Sequence, residues 1–567
     1  MPKTFFATAL MSESNSRRIN QFHLSSETFA RILFWGAWFL PTVLALMRSG
    51  GNGRAWESLL WSACICALLA ILPRRLFRVA QYCSLLLTPA LLWWIAYAAL
   101  NGIGPGWQAA LAATATSVNE TKDALKLAID APYFVFFSLV CVASLVVSFY
   151  LYTTTLAMAA TSAKTSEGLK LIFALALLPF AYSYIVSSLG AHLPIIFLSS
   201  DSSFSTIGSA TRLVWEGVDQ VLYGDILYAG HSRLPAKVSV HVKAPRLAMF
   251  VVGESVRAGG IGIEKIERGP WTKALNERVN NHLGVWLPTT CAGSNGTAVS
   301  VPMLITETEP SNYKQSATAP SVLAMLKAAG YKTAWISNQD TNVFSESGHD
   351  YYWTISRSAG VSDSYDEEML PIASAFISPL RAQQNAMTTP YAMVLHMHGS
   401  HFSYQERYPV AEFAKEPENL SSDDLTELRY ERSEEYSAKV IVKLAALLDS
   451  VDYPAFLVFS GDHGENLPSD HNGVLTHLGP RATIRDGTTT SFVLWNRAMQ
   501  LSAAPDTLLR NVINQNMIAH VDIAKIFLTL SGFSNDAVTP AKQVTILAPV
   551  EVGAPAFTVN DCSLLKP

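Results

Sequence analysis

The chain has 567 residues, of which 50% are hydrophobic, and a formal net charge of −4 at pH 7. That length holds more than one domain, and a mildly acidic chain without a basic stripe interleaved with aromatics gives no basis for nucleic-acid binding. The apolar residues are unevenly placed: residues 28–200 are nearly all apolar, and the remainder reads as an ordinary soluble protein.

Residues 1–27 form a polar tail with Arg17 and Arg18. Five apolar spans follow, near 29–48, 56–73, 79–100, 133–157 and 169–190, each close to the ~20 residues a membrane-crossing helix needs. Several are apolar on every face without a charge over bilayer length, which favours membrane spans over buried helices of a soluble protein. Arg17 and Arg18, then Arg74, Arg75 and Arg78, then Lys164 and Lys170 mark one side as cytoplasmic. Five crossings from an inside N-terminus put the chain beyond residue 195 outside the inner membrane, which is the periplasm in a double-membraned bacterium. The 101–132 loop carries a capped helical pattern from Thr116 through Glu120. Residues 201–238 read as an interfacial connector with Trp215, Tyr223 and Tyr228, and residues 239–567 as the second domain.

In that domain, apolar runs at 246–252, 331–337, 391–396 and 454–460 predict buried strands, with helices at 320–329 and 431–449 between them. The alternation predicts an α/β fold, a largely parallel sheet with helices on both faces. Polar residues just past the strand ends are where such sheets place their sites. Cys291 and Cys562 lie in this polar part and could pair if it is exported, although their spacing leaves the pairing open. Cys64, Cys66, Cys83 and Cys141 lie in apolar spans, as small hydrophobes.

Three motifs carry chemistry. Gly-Glu254-Ser follows the first strand, Gly-Thr297-Ala-Val-Ser-Val-Pro302 follows a Gly/Ser/Asn turn, and Ser-Gly-Asp462-His463-Gly-Glu follows the last strand. Singly, each reads as a helix cap or polar turn. Together they supply two carboxylates, an imidazole and a hydroxyl, a ligand set for zinc. A divalent ion lowers the pKa of an oxygen bound to it, and Thr297 could then attack phosphorus as a covalent nucleophile. His396, His398 and His401 cluster at a strand end, and His477 follows in Asn472-Gly-Val-Leu-Thr-His477. One histidine on a strand is usually a satisfied core residue, but three within six positions are not so easily explained. A pair such as His401 and His477 could hold a phosphate, protonate a leaving group or bind a second zinc.

The layout and the motifs Gly-Glu254-Ser-Val-Arg257, Gly-Thr297-Ala-Val-Ser-Val-Pro302, Gly-Ser-His401…Arg407-Tyr-Pro and Ser-Gly-Asp462-His463-Gly-Glu…His477 resemble the bacterial phosphoethanolamine transferases of the alkaline phosphatase/sulfatase superfamily. The resemblance implies a five-helix membrane domain and a zinc-dependent periplasmic α/β domain, with helices on both faces of a mixed sheet. It implies phosphatidylethanolamine as donor and an envelope glycolipid as acceptor: lipid A, Kdo or a core sugar of lipopolysaccharide. Residue by residue, it makes Thr297 the nucleophile and Glu254, Asp462 and His463 the other ligands of its zinc. His401 and His477 match substrate or second-metal histidines, His396 joins them as a substrate-binding candidate, and Thr116 and Glu120 match donor head-group contacts.

The chain departs from the family's pattern at four places. No cysteine follows the nucleophile near Met303. The loop Ser337-Asn338-Gln339-Asp340-Thr-Asn342 lacks the lysine usual in lipid A-specific members. Phe402-Ser403 replaces a Gly-Pro, and Ala112 replaces an asparagine. These leave the chemistry in place and the acceptor sugar open. A sulfatase would need Cys or Ser in a Cys/Ser-x-Pro-x-Arg context, which Thr297-Ala-Val does not supply. A glycerophosphate transferase, a transferase to another glycan and a non-enzymatic membrane scaffold are the competing readings.

Overall fold

The computed structural model describes residues 26–49, 74–101, most of 125–158 and most of 245–566. The chain divides into two compact units, one holding the apolar helices and one holding the α/β domain.

The helical unit contains α1 (Ser26–Ser49), α2 (Arg74–Asn101) and α3 (Phe134–Met158). Among the described residues, two helices are long and apolar enough to cross a membrane, or three if the halves of α2 form one span. Those halves, Arg75–Leu85 and Leu87–Leu100, meet at 65°. Pro89 accounts for the bend, because its ring displaces the carbonyl four residues back, that of Leu85. Between the helices, Ser148 donates to the Ala30 carbonyl at 2.6 Å and accepts from Gln81 at 3.1 Å, while Phe77 packs edge-on against Phe34 and Tyr152. Leu139, Phe136 and Val146 stay exposed along α3, as expected of a lipid-facing side. The expected spans 56–73 and 169–190, the connector 201–238, Thr116 and Glu120 lie outside the described residues.

In the α/β unit the four sequence-predicted strands appear as β1 (Leu247–Gly253), β4 (Lys332–Ser337), β6 (Tyr391–His396) and β7 (Ala455–Gly461). They are joined by β2 (Gly284–Trp286), β5 (Tyr351–Thr354) and β9 (Ser491–Trp495) in a seven-stranded sheet of order β2-β9-β7-β1-β6-β4-β5. Strands β7, β1, β6, β4 and β5 are parallel, whereas β9 runs antiparallel to both β7 and β2. The sheet is therefore mixed.

Alternate residues of β1 feed two cores. Leu247, Met249 and Val251 meet Tyr436, Val440 and Leu444 of one long helix, Ser422–Asp449. Ala248, Phe250 and Val252 face the other side, toward Val301, Leu326 and Phe527. Both faces are thus covered, which is why β1 reads as a continuous apolar run rather than an alternating one. The covering helices are α4 (Pro270–Asn280), α5 (Thr297–Ile305), α6 (Val322–Ala328), α7 (Met369–Phe376), α8 (Ser422–Asp449) and α9 (His520–Leu530).

A second, three-stranded sheet has the order β10-β3-β8, with β3 (Thr289–Cys291), β8 (Thr488–Thr489) and β10 (Met517–Ala519). At the end of β3, Cys291 forms a disulfide with Cys562, with Cα atoms 6.3 Å apart. The pairing that spacing left open is thus made by the fold.

Candidate active site

The register of the main sheet builds the site. Gly253 pairs with Gly461, so Glu254 and Asp462, each one residue further on, leave adjacent parallel strands side by side. A Cβ on Gly461 would run into Val256 and the Thr489 hydroxyl, so glycine is required at this strand exit. Ser255 N–H and His463 N–H donate to Asp462 Oδ1 at 3.0 and 2.8 Å. These bonds turn both loops toward one another.

Thr297 is the first residue of α5, after Gly296 in extended conformation. Its Oγ1 lies 3.3 and 3.1 Å from Glu254 Oε1 and Oε2 and 3.2 Å from His463 Nε2. The Nδ1–H of His463 donates to the Gly464 carbonyl at 2.7 Å. That bond selects the tautomer whose Nε2 lone pair faces the cluster. His463 Nε2 is also 3.3 Å from Asp462 Oδ2 and 3.5 Å from Glu254 Oε1. Four side chains from positions 254, 297, 462 and 463 therefore share one small volume.

The donor set fits a divalent cation. Glu254, Asp462 and His463 are fully buried, and among the described residues Asp462 Oδ2 accepts no hydrogen bond. A carboxylate oxygen buried without a donor is costly unless a cation satisfies it. Burial, reinforced by the neighbouring Asp462 charge, pushes Glu254 well above the usual carboxylate range, and burial pulls His463 below the usual imidazole value. Two crowded carboxylates beside a neutral imidazole are the environment a zinc ion stabilises. One ligand atom from each of Glu254, His463 and His477 lies within 4.8 Å of the others, so His477 adjoins the same cluster.

His477 is held by a buried carboxylate. Its Nδ1 lies 2.8 Å from Glu465 Oε2, and Tyr404 OH donates to Glu465 Oε1 at 2.7 Å. Burial pushes Glu465 up to about 7 and His477 down to about 4. The His477 ring centroid is 4.2 Å from that of His463 and 5.8 Å from that of His401. His401 Nδ1 lies 2.7 Å from the Phe402 carbonyl, and the His401 ring is 5.5 Å from that of His398, which contacts Arg407. His396 ends β6, on the face of the sheet that carries Ala392 and Val394, with its ring centroid 6.0 Å from Trp335. It is buried at the end of the sheet.

Three supporting residues escaped the sequence reading. Gln339 Nε2 donates to Glu254 Oε2 at 3.1 Å and to the Met397 carbonyl at 2.9 Å. Asp366 accepts from the backbone N–H groups of His398 and Gly399, both at 2.8 Å, and so shapes the histidine loop. His520, at the start of α9, bonds to Gly293 and Gly461. Gln339 follows a predicted strand end, which was a usable signal; Asp366 and His520 follow no motif.

Comparison with known proteins agrees with this architecture. The chain is 24% identical over 324 residues to phosphoethanolamine transferase EptC of Escherichia coli K12 and 23% identical over 318 residues to phosphoethanolamine transferase CptA of Salmonella typhimurium LT2. Each match covers 53% of this chain and 53% of the relative, so the chain spans about half the length of the curated relatives it matches. Among solved structures, the integral membrane lipooligosaccharide phosphoethanolamine transferase A from Neisseria meningitidis superposes with a TM-score of 0.62 at 16% identity, covering 90% of this chain and 96% of that one. That likeness is one of fold and takes in the apolar helices as well as the α/β unit. The sulfatase family profile matches residues 246–533, half of the chain and the whole of the main sheet, and the protein belongs to that family, within the alkaline phosphatase/sulfatase superfamily.

Proposed function

We propose that this chain is a zinc-dependent transferase that moves phosphoethanolamine from phosphatidylethanolamine to an envelope glycolipid through a phospho-threonine at Thr297. The observation that carries the reading is the hydroxyl of Thr297 within 3.3 Å of both the Glu254 carboxylate and the His463 imidazole, at the N-terminus of a helix. The relatives named phosphoethanolamine transferase support the donor group.

Glu254, Asp462, His463 and Thr297 would hold the zinc, which supplies Lewis acidity that lowers the pKa of an alcohol. The start of α5, where Thr297 lies, is a helix N-terminus, whose dipole favours a phosphoryl oxygen nearby. Thr297 Oγ1 attacks phosphorus; the new P–O bond forms as the bond to the diacylglycerol oxygen breaks, and Glu254 is placed to accept the threonine proton. His401 gives a proton to the departing diacylglycerol oxygen, while His477, which burial holds neutral, lines the site beside it. An acceptor hydroxyl then attacks the phospho-threonine and loses its proton to His401, while the departing Thr297 oxygen takes back the proton held by Glu254. Glu465 keeps the His477 ring oriented through its Nδ1.

On this reading the enzyme works from a bacterial inner membrane with its catalytic unit in the periplasm, and Thr116 and Glu120 contact the donor head group; the long apolar helices support the membrane part of it. The acceptor is lipid A, Kdo or a core sugar. Mass spectrometry of envelope glycolipids with and without the gene tests the reading: it predicts one added phosphoethanolamine. Identical glycolipid profiles would overturn the acceptor class. Labelling of the protein by phosphatidylglycerol instead of phosphatidylethanolamine would favour a glycerophosphate transferase.

A further inference from the structure

The structure carries a link between the nucleophile loop and the ligand loop that no sequence motif announces. His520 is the first residue of α9 and is 2% exposed. It leaves β10 directly after Ala519, which pairs with Cys291 at the end of β3. The register therefore sets His520 beside the Ala292–Gly293 turn that leads into Thr297.

Its two ring nitrogens reach different loops. Nδ1 lies 3.0 Å from Gly293 N, and Nε2 lies 3.1 Å from the Gly461 carbonyl oxygen. A backbone N–H can only donate and a carbonyl can only accept, so the ring is neutral with its proton on Nε2. Ser300 Oγ sits 3.2 Å from the same Nδ1 but donates its proton to the Asp462 carbonyl at 2.6 Å. The lone pair of Nδ1 is thus given to Gly293 N–H. Gly461 precedes Asp462, and Gly293 lies four residues before Thr297.

We propose that His520 is a positioning residue that fixes the distance between Thr297 and the Asp462–His463 pair by bridging their loops. The proposal rests on the reading of Thr297 as nucleophile. A buried imidazole satisfied at both ends by backbone groups of two separate loops sets their spacing in a way that an apolar residue of the same size would not. Misplacement of a reacting atom by about 1 Å costs on the order of 100-fold in rate, so the bridge acts on turnover rather than on donor binding.

The test uses the full-length protein in detergent with zinc restored and head-group-labelled phosphatidylethanolamine as donor. His520→Asn keeps an acceptor near the Nδ1 position but falls short of Gly461; His520→Gln keeps a donor near Nε2 but offers nothing to Gly293 N–H. Each variant should lower kcat by about 10- to 100-fold, the range for residues that orient metal ligands, with KM within about twofold of wild type. Zinc affinity, measured by chelator competition, should weaken in both, while Tm stays within a few degrees. Unchanged kcat and zinc affinity in both variants would overturn the proposal. So would aggregation of both, or a joint fall of Tm, KM and kcat, since either makes His520 a core residue only. Thr297→Ala, run beside them, keeps the two readings apart: activity in that variant would remove the nucleophile assignment whatever His520 does.

Discussion

Gly253 and Gly461 are register partners on adjacent parallel strands, and the residues that follow them, Glu254 and Asp462, are the two carboxylates that crowd together at the candidate site. Two acids 208 positions apart in sequence are thereby brought together by a single sheet register. The cost of crowding them is visible in Glu254, which burial and the Asp462 charge push well above the ordinary carboxylate range.

The first prediction follows from that crowding. Glu254→Ala and Asp462→Ala should each lose the bound zinc, and metal analysis of the purified proteins would measure it. Full metal content in both variants would mean that other side chains hold the ion. Glu254→Ala should leave the domain folded, since it removes one of two crowded buried acids, whereas Asp462→Ala also strands the Ser255 and His463 N–H groups and should lower Tm.

Gln339 anchors the same carboxylate. It donates to Glu254 Oε2 and to the Met397 carbonyl, so it fixes which way Glu254 points. Gln339→Ala should lower zinc affinity or turnover by about 10- to 100-fold. Glutamine should not be replaceable by leucine, which fills the space without donating. Wild-type activity in Gln339→Leu would reduce this residue to packing.

Gly399 is set by backbone rather than by side chain. Its φ is +52°, and an added Cβ would lie 2.7 and 2.8 Å from the Glu254 backbone O and N. Ser400 N–H also donates to the Glu254 carbonyl at 3.0 Å, so the histidine loop rests on the Glu254 turn. Gly399→Ala carries both a left-handed-backbone cost and a steric clash. It should lower Tm and reduce transfer at least about 10-fold, more than Ser400→Ala does, as thermal melts and donor turnover would measure. Equal effects would place the requirement in the loop generally.

Much of this was legible in the sequence because the physics there is local. The strands at 246–252 and 454–460 read as continuous apolar runs, since both faces of the sheet are buried, and the polar residues at their ends mark where the loops open. Thr297 was legible as a hydroxyl after a flexible turn and before an apolar helix. What the sequence did not reveal depends on contacts between distant segments. Strand β9 runs antiparallel to β7, a direction its own residues do not encode. Asp366 shapes the His398–Gly399 turn from 32 positions away, and His520 looks like any lone histidine until the β10–β3 register sets it beside Gly293. Cys291 and Cys562 pair across 271 positions, a distance over which spacing carries no signal.

If Thr297 is the nucleophile, its oxygen becomes bonded to phosphorus during turnover. Full-length protein incubated with head-group-labelled phosphatidylethanolamine in the absence of acceptor, quenched and digested, provides the direct measurement by peptide mass spectrometry. The account predicts a phosphoethanolamine adduct on the peptide containing Thr297, absent in Thr297→Ala, which should also lose more than about 1,000-fold in transfer. An adduct on another residue, or undiminished transfer by Thr297→Ala, would contradict it.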